Sequence, residues 1–248
     1  MPYESTITFT LDTICPWTYL GFTRLTRALS AYRSANPNSP ATFTLKLAPY
    51  QLYPDFPSEG TDKYQWYKEK KYNGSDERMD MYMRYMGDLG NQESIKFDFA
   101  GGMVANTLHA HRVLYWLQAN KGPDAALAAL RYLYEQYFQH RAHPASQEVL
   151  EKACVEGGLS EEEASKLVAD EQEGLRDVKD AIREQAGNGV DSVPYVVFEG
   201  RKRDFTLIGA KSVEEYEKVL GQVEKEYTPV ESQFGTSEEE TYARRKEA

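Results

Sequence analysis

The feature that most restricts the fold is that strand patterns occur only towards the two ends of the chain. Near the start, apolar residues alternate over residues 7–11 and again over residues 41–48, which predicts two strands. Between them, an apolar stripe at helical spacing begins just after Pro16, a residue that suits the first turn of a helix. The first part of the chain is therefore predicted to be a β-α-β unit.

A long block of helical periodicity follows, over about residues 62–185, and its glycine-containing turns divide it into four to six predicted helices. Strand patterns return only over residues 194–199 and 205–208, before a last helix that begins near Ser212. The whole order is β-α-β, a helical block, and then β-β-α. This order predicts an α/β fold with a large inserted all-helical domain.

The same order divides the chain into three parts. The two strand-bearing ends form one domain, and the helical block is inserted into it. The last residues are highly charged and show little apolar periodicity, which is typical of a tail. The predicted units are an α/β domain of residues 1–61 and 186–227, an inserted helical domain of residues 62–185, and a charged C-terminal tail of residues 228–248.

The charge balance argues against several function classes. The formal net charge is -10, whereas proteins bind nucleic acids chiefly through lysine and arginine. No apolar segment has the length of a membrane span. The four histidines and two cysteines are not spaced like the ligands of a metal site. We therefore expect no nucleic acid, membrane or metal ion among the partners of this protein.

Cys15 has the clearest potential for chemistry, because it falls between the first strand and the first helix and is followed by Pro16 and Trp17. The first turn of a helix offers unpaired N–H groups and the positive end of the helix dipole, and both favour a thiolate. We therefore expect Cys15 to be reactive, with a pKa below that of a free cysteine. The alternative is a buried structural cysteine.

Thr18 stands where a Cys-x-x-Cys motif would have its second cysteine. It lies three residues after Cys15 and shares a helix face with it, so its hydroxyl is expected to donate a hydrogen bond to the sulfur. A hydroxyl cannot attack a mixed disulfide, so release of a bound partner would require an external thiol such as glutathione. The alternative is an ordinary first-turn threonine.

Cys154, the other cysteine, lies within the helical block and is predicted to be a core thiol. It could resolve a mixed disulfide only if the fold brought its Cα atom within about 7 Å of that of Cys15. Two cysteines are too few for a disulfide framework, and the first residues do not resemble a secretory signal. We therefore expect a reducing compartment, most simply the cytoplasm.

Pro194 comes directly before a predicted strand, and the bond before a proline is where cis peptide bonds occur. If this proline faced Cys15, the backbone of Val193 would be open to pair with an extended peptide or with glutathione. The alternative, which the local sequence favours, is a trans proline that only begins the strand.

Five segments in this order resemble the DsbA-like thioredoxin family. More narrowly, the chain is similar to its FrnE-type branch, which is related to 2-hydroxychromene-2-carboxylate isomerases and kappa-class glutathione transferases. The similarity extends from about Ile7 to Leu220. The segments are the strand–helix junction around Cys15 (12–21), a proline-rich stretch (49–60), an Asn-Thr…Ala-His-Arg helix (105–112), the stretch around Pro194 (189–197) and the turn into the last helix (208–212).

The resemblance implies a thioredoxin fold whose helical insertion covers the active site. Cys15 would be the attacking sulfur, and Val193 and Pro194 would form a cis-proline loop that faces the substrate. Thiol oxidoreductases of this branch carry two cysteines, whereas the transferases and isomerases use a serine near the position of Cys15. With Cys15 and Thr18, this chain is intermediate between the two groups.

The resemblance also implies binding residues away from the sulfur. In glutathione-using relatives, the turn into the last helix holds the γ-glutamyl carboxylate, and a carboxylate is favourable at a helix N-terminus. Here that turn maps onto Gly209, Ala210 and Lys211. Asn106 would point from the helical block towards the substrate.

Three functions stay open at this point. The first is a monothiol oxidoreductase in which Cys15 attacks a disulfide or an electrophile and glutathione, as co-substrate, resolves the adduct. The second is a glutathione-dependent isomerase or transferase on a small aromatic substrate, with Thr18 helping to activate the sulfur of glutathione. The third is a non-catalytic binding module. Tyrosines of the insertion could line a substrate pocket, among them Tyr64, Tyr67, Tyr82 and Tyr85.

Both enzyme hypotheses imply the same kinds of partner. We expect no permanently bound cofactor, glutathione as co-substrate, and either a small molecule or a protein thiol or disulfide as substrate. Relatives of this kind often dimerise, so a homodimer is a further expectation.

Overall fold

The centre of the molecule is a four-stranded sheet built from both ends of the chain. A computed structural model of the protein describes residues 3–227, and the predicted tail of residues 228–248 lies outside the described residues. The strands are β1 (Tyr3–Leu11), β2 (Ala41–Pro49), β3 (Thr61–Asp62), β4 (Met103–Val104), β5 (Tyr195–Phe198) and β6 (Phe205–Ile208). The helices are α1 (Pro16–Ala35), α2 (Lys63–Tyr72), α3 (Asp76–Gln92), α4 (Leu108–Lys121), α5 (Pro123–Gln139), α6 (Gln147–Glu156), α7 (Glu161–Ala169), α8 (Leu175–Gly187) and α9 (Val213–Lys225).

The strand order in the main sheet is β2-β1-β5-β6. β1 runs parallel to β2 and antiparallel to β5, so that Ile7 is paired with Leu45 on one side and with Phe198 on the other. β5 and β6 are antiparallel, as expected for strands joined by a short turn. These directions confirm the predicted α/β fold of thioredoxin type.

The insertion contains more elements than the sequence predicts. Within the described chain, seven helices (α2–α8) lie between β2 and β5, against four to six predicted. The break between α7 and α8 is the hardest to foresee, because residues 170–174 contain one glycine and no proline. Gly174 adopts a φ of 70° there, a conformation that glycine reaches without steric cost. The strands β3 and β4, of two residues each, are too short to show alternation.

Packing joins the sheet to the helical insertion. α9 packs against α1, while α4, α5 and α8 lie against β2. On α1, the ring of Phe22 lies 6.0 Å from that of Phe9 in β1 and 6.0 Å from that of Tyr134 in α5, so the two parts share one apolar core. The domain boundaries stay a prediction. Of the helices described, none combines the length and the apolar character needed to cross a bilayer.

Candidate active site

Cys15 occupies the position expected from the sequence, at the N-cap of α1 with Pro16 as the first helical residue. The chain turns there because the Cys15 N–H donates to the carbonyl of Asp12 at 3.1 Å. The sulfur lies 3.8 Å from the carbonyl oxygen of Val193, and the Val193–Pro194 peptide bond is cis. The fold therefore brings Cys15 close to the segment before β5, although the two are 178 residues apart in the sequence.

The thiol of Cys15 is not acidic, contrary to the prediction from its helix position. Its side chain is 4% exposed, and burial raises its pKa from 9.0 to about 11. The negative charge of Asp12 raises this pKa further, while the backbone N–H groups of Thr18 and Trp17 lower it. The helix end acts in the predicted direction, but desolvation outweighs it, because a buried thiolate loses its hydration.

Thr18 contributes mainly to the turn rather than to the sulfur. Its buried hydroxyl lies 2.8 Å from the carbonyl oxygen of Asp12 and 2.7 Å from that of Cys15, and it donates to these oxygens. A hydroxyl has one hydrogen, so the two carbonyls and the sulfur compete for it. A side-chain hydrogen bond from Thr18 is the smallest of the effects on the pKa of Cys15 and lowers it, so the predicted interaction with the sulfur is present but minor.

Cys15 lines a cavity of about 350 Å³. The cavity lies between the first turn of α1, the segment before Pro194 and the helices α2 and α3, which cover it. Its walls are largely aromatic and include Trp17, Tyr53, Trp66, Tyr67, Tyr72, Tyr82 and Tyr137. A larger groove of about 680 Å³ between α1, β2 and α5 contains none of the predicted site residues.

The tyrosines of the insertion divide into two groups. Tyr67 and Tyr82 line the cavity as predicted, with their rings stacked 5.6 Å apart. Tyr64 and Tyr85 do not line it. Tyr64 donates to Asp76, and Tyr85 is 53% exposed.

Two further tyrosines interact electrostatically with Cys15, and the sequence pattern does not distinguish them from core residues. Tyr134 and Tyr137 on α5 are fully buried, and their hydroxyls have no hydrogen-bond partner in the described part of the chain. Burial raises the pKa of each well above its usual value. Both are therefore neutral hydrogen-bond donors at pH 7, and Tyr137 presents its side chain to the cavity. Their i, i+3 spacing was the available signal, but it is equally typical of core residues.

Lys71 is the one cationic residue among those lining the cavity. Its Nζ lies 5.0 Å from the centre of the Tyr53 ring and 5.4 Å from that of the Trp66 ring. It forms no ion pair with any residue between 3 and 227. A cation held by rings alone keeps its capacity to attract an anion.

Asn106 does not point into the cavity. Its side-chain nitrogen donates to the carbonyl of Pro54 at 2.6 Å, and its oxygen accepts from Gln51 and from the N–H of Leu108. These bonds fix the loop before α4. Asn106 does not line the cavity, and its contact with a substrate stays a prediction.

The turn into α9 is also engaged internally. The N–H of Gly209 donates to the carbonyl of Pro194 at 2.8 Å, and the Lys211 N–H lies 3.4 Å from the Tyr216 hydroxyl. Gly209, Ala210 and Lys211 do not line the cavity. Ser212 and Glu215 form a capping box that already satisfies the start of α9. The carboxylate site predicted here stays a prediction.

Cys154 is a core residue, as predicted. It lies on α6 with no exposed surface, and burial raises its pKa to about 12. It is a free thiol, as is Cys15, and it does not line the cavity. Within residues 3–227, no group of three or more His, Cys, Asp and Glu side chains is arranged to hold a metal ion.

Comparison with known families agrees with this architecture. The sequence profile described as the DSBA-like thioredoxin domain matches residues 6–221, which is nearly the whole described chain. No curated protein sequence matches the chain.

Several solved structures have the same fold. A probable DsbA oxidoreductase from Streptomyces coelicolor has a TM-score of 0.75 at 23% identity, covering 91% of this chain and 92% of that one. A 2-hydroxychromene-2-carboxylate isomerase has a TM-score of 0.61 at 12% identity, covering 88% and 95%. The cytosolic disulfide reductase DsbM from Pseudomonas aeruginosa, solved with GSH, has a TM-score of 0.53 at 17% identity, covering 93% and 100%. At these identities the likeness establishes the fold alone.

Proposed function

The chain belongs to the DSBA-like thioredoxin domain family, and we propose that it is a thiol oxidoreductase that acts through the single sulfur of Cys15, with glutathione as its co-substrate. The observation that carries the proposal is the position of this sulfur. It lies 3.8 Å from the carbonyl of Val193 and lines a cavity that reaches the insertion. The only other cysteine of the chain is buried in the core on α6.

A single sulfur limits the reaction to monothiol exchange. The thiolate of Cys15 attacks one sulfur of glutathione disulfide, a mixed disulfide forms, and one glutathione leaves as its thiolate. A second glutathione thiolate then attacks the mixed disulfide, which releases glutathione disulfide and restores the Cys15 thiolate. With a protein or small-molecule disulfide in the first step, two glutathione molecules are oxidised for each disulfide reduced.

The backbone of Val193 supplies a docking point for this chemistry. Its N–H donates to no residue in the described range, and its carbonyl lies beside the sulfur. A bound extended peptide such as glutathione can pair with these groups as a strand pairs with a sheet edge. The structural neighbour DsbM, a cytosolic disulfide reductase solved with GSH, supports a glutathione-linked and cytoplasmic role.

A second candidate function is favoured by the walls of the cavity. The aromatic lining and Lys71, which has no ion-pair partner among residues 3–227, suit a small, planar, anionic substrate better than a folded protein, because Cys15 is only 4% exposed. In this case the protein is a glutathione-dependent isomerase or transferase, and the neutral hydroxyl of Tyr137 donates a hydrogen bond to the substrate or to the sulfur of glutathione. The isomerase among the structural neighbours agrees with this candidate.

One experiment separates these functions. The protein is incubated with glutathione disulfide, and the intact mass is measured. We expect one glutathione adduct that is absent in Cys15→Ser and retained in the matched control Cys154→Ala. The adduct should disappear when reduced glutathione is added.

The other outcomes decide among the alternatives. If no adduct forms but reduced glutathione binds saturably in calorimetry, the isomerase or transferase candidate replaces the oxidoreductase. If neither an adduct nor binding occurs, the protein is a binding module without glutathione chemistry. An adduct that persists in Cys15→Ser would assign the reaction to Cys154 and overturn the site.

A further inference from the structure

Helix α3 presents an exposed face to solvent. Its residues Met79, Met86 and Gly90 are buried, and the helix packs chiefly against α2. The opposite face, the α3 seam, carries four exposed residues at spacings of three, four and three: Arg78, Met81, Tyr85 and Asp88. Side chains at these spacings share one helix face, and the same pattern forms the contact line of coiled coils. The α3 seam is therefore arranged like the surface of a helix that packs against another helix.

The centre of the α3 seam is apolar. Met81 is 52% exposed, and Tyr85, four residues further along the helix, is exposed to the same extent. The Tyr85 ring lies 6.2 Å from that of Trp17, which is 36% exposed and lines the aromatic cavity. Three of the five exposed large apolar side chains in the described chain thus lie together here. An exposed apolar patch with polar residues at its rim is typical of an interaction surface.

The two ends of the α3 seam carry opposite charges. Arg78 lies towards the start of the helix and Asp88 towards its end, and both are exposed. Neither forms an ion pair with a residue between 3 and 227. The helix dipole disfavours a cation in the first turn, so the helix itself gives no reason for the position of Arg78.

This order of residues is complementary to itself. A twofold axis midway between Met81 and Tyr85 places Met81 of one copy against Tyr85 of the other. The same axis places Arg78 of each copy against Asp88 of the other. Both contacts then occur twice, as a twofold interface requires. A parallel arrangement would instead place each charge against its own kind, so the charges favour antiparallel helices.

From this pattern we propose that the α3 seam is a homodimer interface, in which the α3 helices of two copies pack antiparallel. Burial of Met81 and Tyr85 removes apolar surface from water, and the two pairs of Arg78 with Asp88 fix the register. The partner's α3 then lies beside Trp17, so the interface adjoins the wall of the cavity that Cys15 lines.

The dimer should be weak, for two reasons. One pair of helices is a small interface compared with those of stable complexes. The exposed Arg84 borders the α3 seam near the twofold axis, where the cations of the two copies repel each other. We therefore expect a dissociation constant of roughly micromolar magnitude.

The test is sedimentation equilibrium of the full chain over a series of concentrations. The average mass of the wild type should rise from that of a monomer towards that of a dimer. Arg78→Glu places two carboxylates at each end of the paired seam, and Asp88→Arg places two cations there. Each single variant should weaken the dimer by about tenfold or more, because like charges in an interface are costly.

Two rescue experiments test the register. The double variant Arg78→Glu/Asp88→Arg exchanges the charges within both pairs, so its dimer should return to nearly the wild-type affinity. An equimolar mixture of the two single variants should also associate, because each new charge meets the opposite new charge and each native charge meets its native partner. The matched controls Lys179→Glu and Glu184→Arg make the same charge changes at exposed positions of α8 and should keep the dimer.

Wild-type protein that stays monomeric overturns the interface and leaves the α3 seam to a partner other than a second copy. A dimer that survives both single charge reversals also overturns it, because that dimer would use another surface. The rescued association shows that the single variants are folded, and circular dichroism checks this directly. The interface does not depend on glutathione chemistry, so neither result decides the other.

Discussion

The two cysteines are alike in the properties by which reactive cysteines are usually recognised. Both are buried free thiols, and burial raises the pKa of Cys15 to about 11 and that of Cys154 to about 12. They differ in their surroundings. Cys15 begins a helix, lines a cavity of about 350 Å³ and faces the backbone of Val193, whereas Cys154 lies inside α6 and packs in the main core.

The site is therefore defined by the cavity and by the opposing backbone, not by the acidity of the thiol. Neither thiol is ionised at pH 7, so a ranking by pKa would not separate them usefully. A cavity admits a partner to one sulfur, and close packing denies it to the other.

Replacement of each cysteine by serine should give the largest contrast. In Cys154→Ser a hydroxyl enters an apolar core, and the free energy of unfolding should fall by about 1–3 kcal/mol. In Cys15→Ser the new hydroxyl stands at an N-cap, where serine is among the preferred residues, and the change should stay within about 0.5 kcal/mol. Urea denaturation at pH 7 measures both values. Equal losses would mean that Cys15, too, is a structural core residue.

The comparison of the two cysteines also shows which properties the sequence could predict: those set by neighbouring residues along the chain. The alternation of Ile7, Phe9 and Leu11 predicts a strand because it is a local property, and β6 matches its predicted bounds for the same reason. The helix start at Pro16 is local as well. The pKa of Cys15 is not local, because its burial depends on Val190 and Val193, which are distant in sequence, and on the residues packed against them.

For the site residues assigned by resemblance, too, the outcome depends on whether the property is set locally or by residues distant in sequence. The approach of Val193 to Cys15 follows from the strand order, in which β5 lies beside β1, and the family resemblance, not the local sequence, predicted it. The direction of the Asn106 side chain depends on which neighbours accept its hydrogen bonds, and those are Pro54 and Gln51 on a proline-rich loop.

The pH dependence of stability should give a smaller effect, in which the two thiols behave alike. A folded pKa raised from 9.0 to about 11 stabilises the fold fully below pH 9, and this stabilisation is lost as pH rises through 11. The unfolding free energy of the wild type should therefore fall relative to Cys15→Ser, by about 1 kcal/mol between pH 8 and pH 10. The unfolding free energy of the wild type should fall in the same way relative to Cys154→Ala, because burial also raises the pKa of Cys154. If the difference in unfolding free energy between the wild type and Cys15→Ser does not change with pH, the Cys15 thiol ionises normally in the folded protein.

The smallest effect should come from the charge of Lys71, which lines the cavity of Cys15, whereas Cys154 does not line that cavity. Iodoacetate is anionic and iodoacetamide neutral, but they alkylate sulfur by the same reaction, so the ratio of their rates reports the potential at the cavity. Lys71→Met should lower this ratio for Cys15 by about twofold, the effect of one solvent-exposed charge. Lys70→Met, which removes a neighbouring charge outside the cavity lining, should leave the ratio nearly unchanged. A similar fall in both variants would show that the reagent senses the overall charge of α2, and Lys71 would then have no specific part in attracting an anionic substrate.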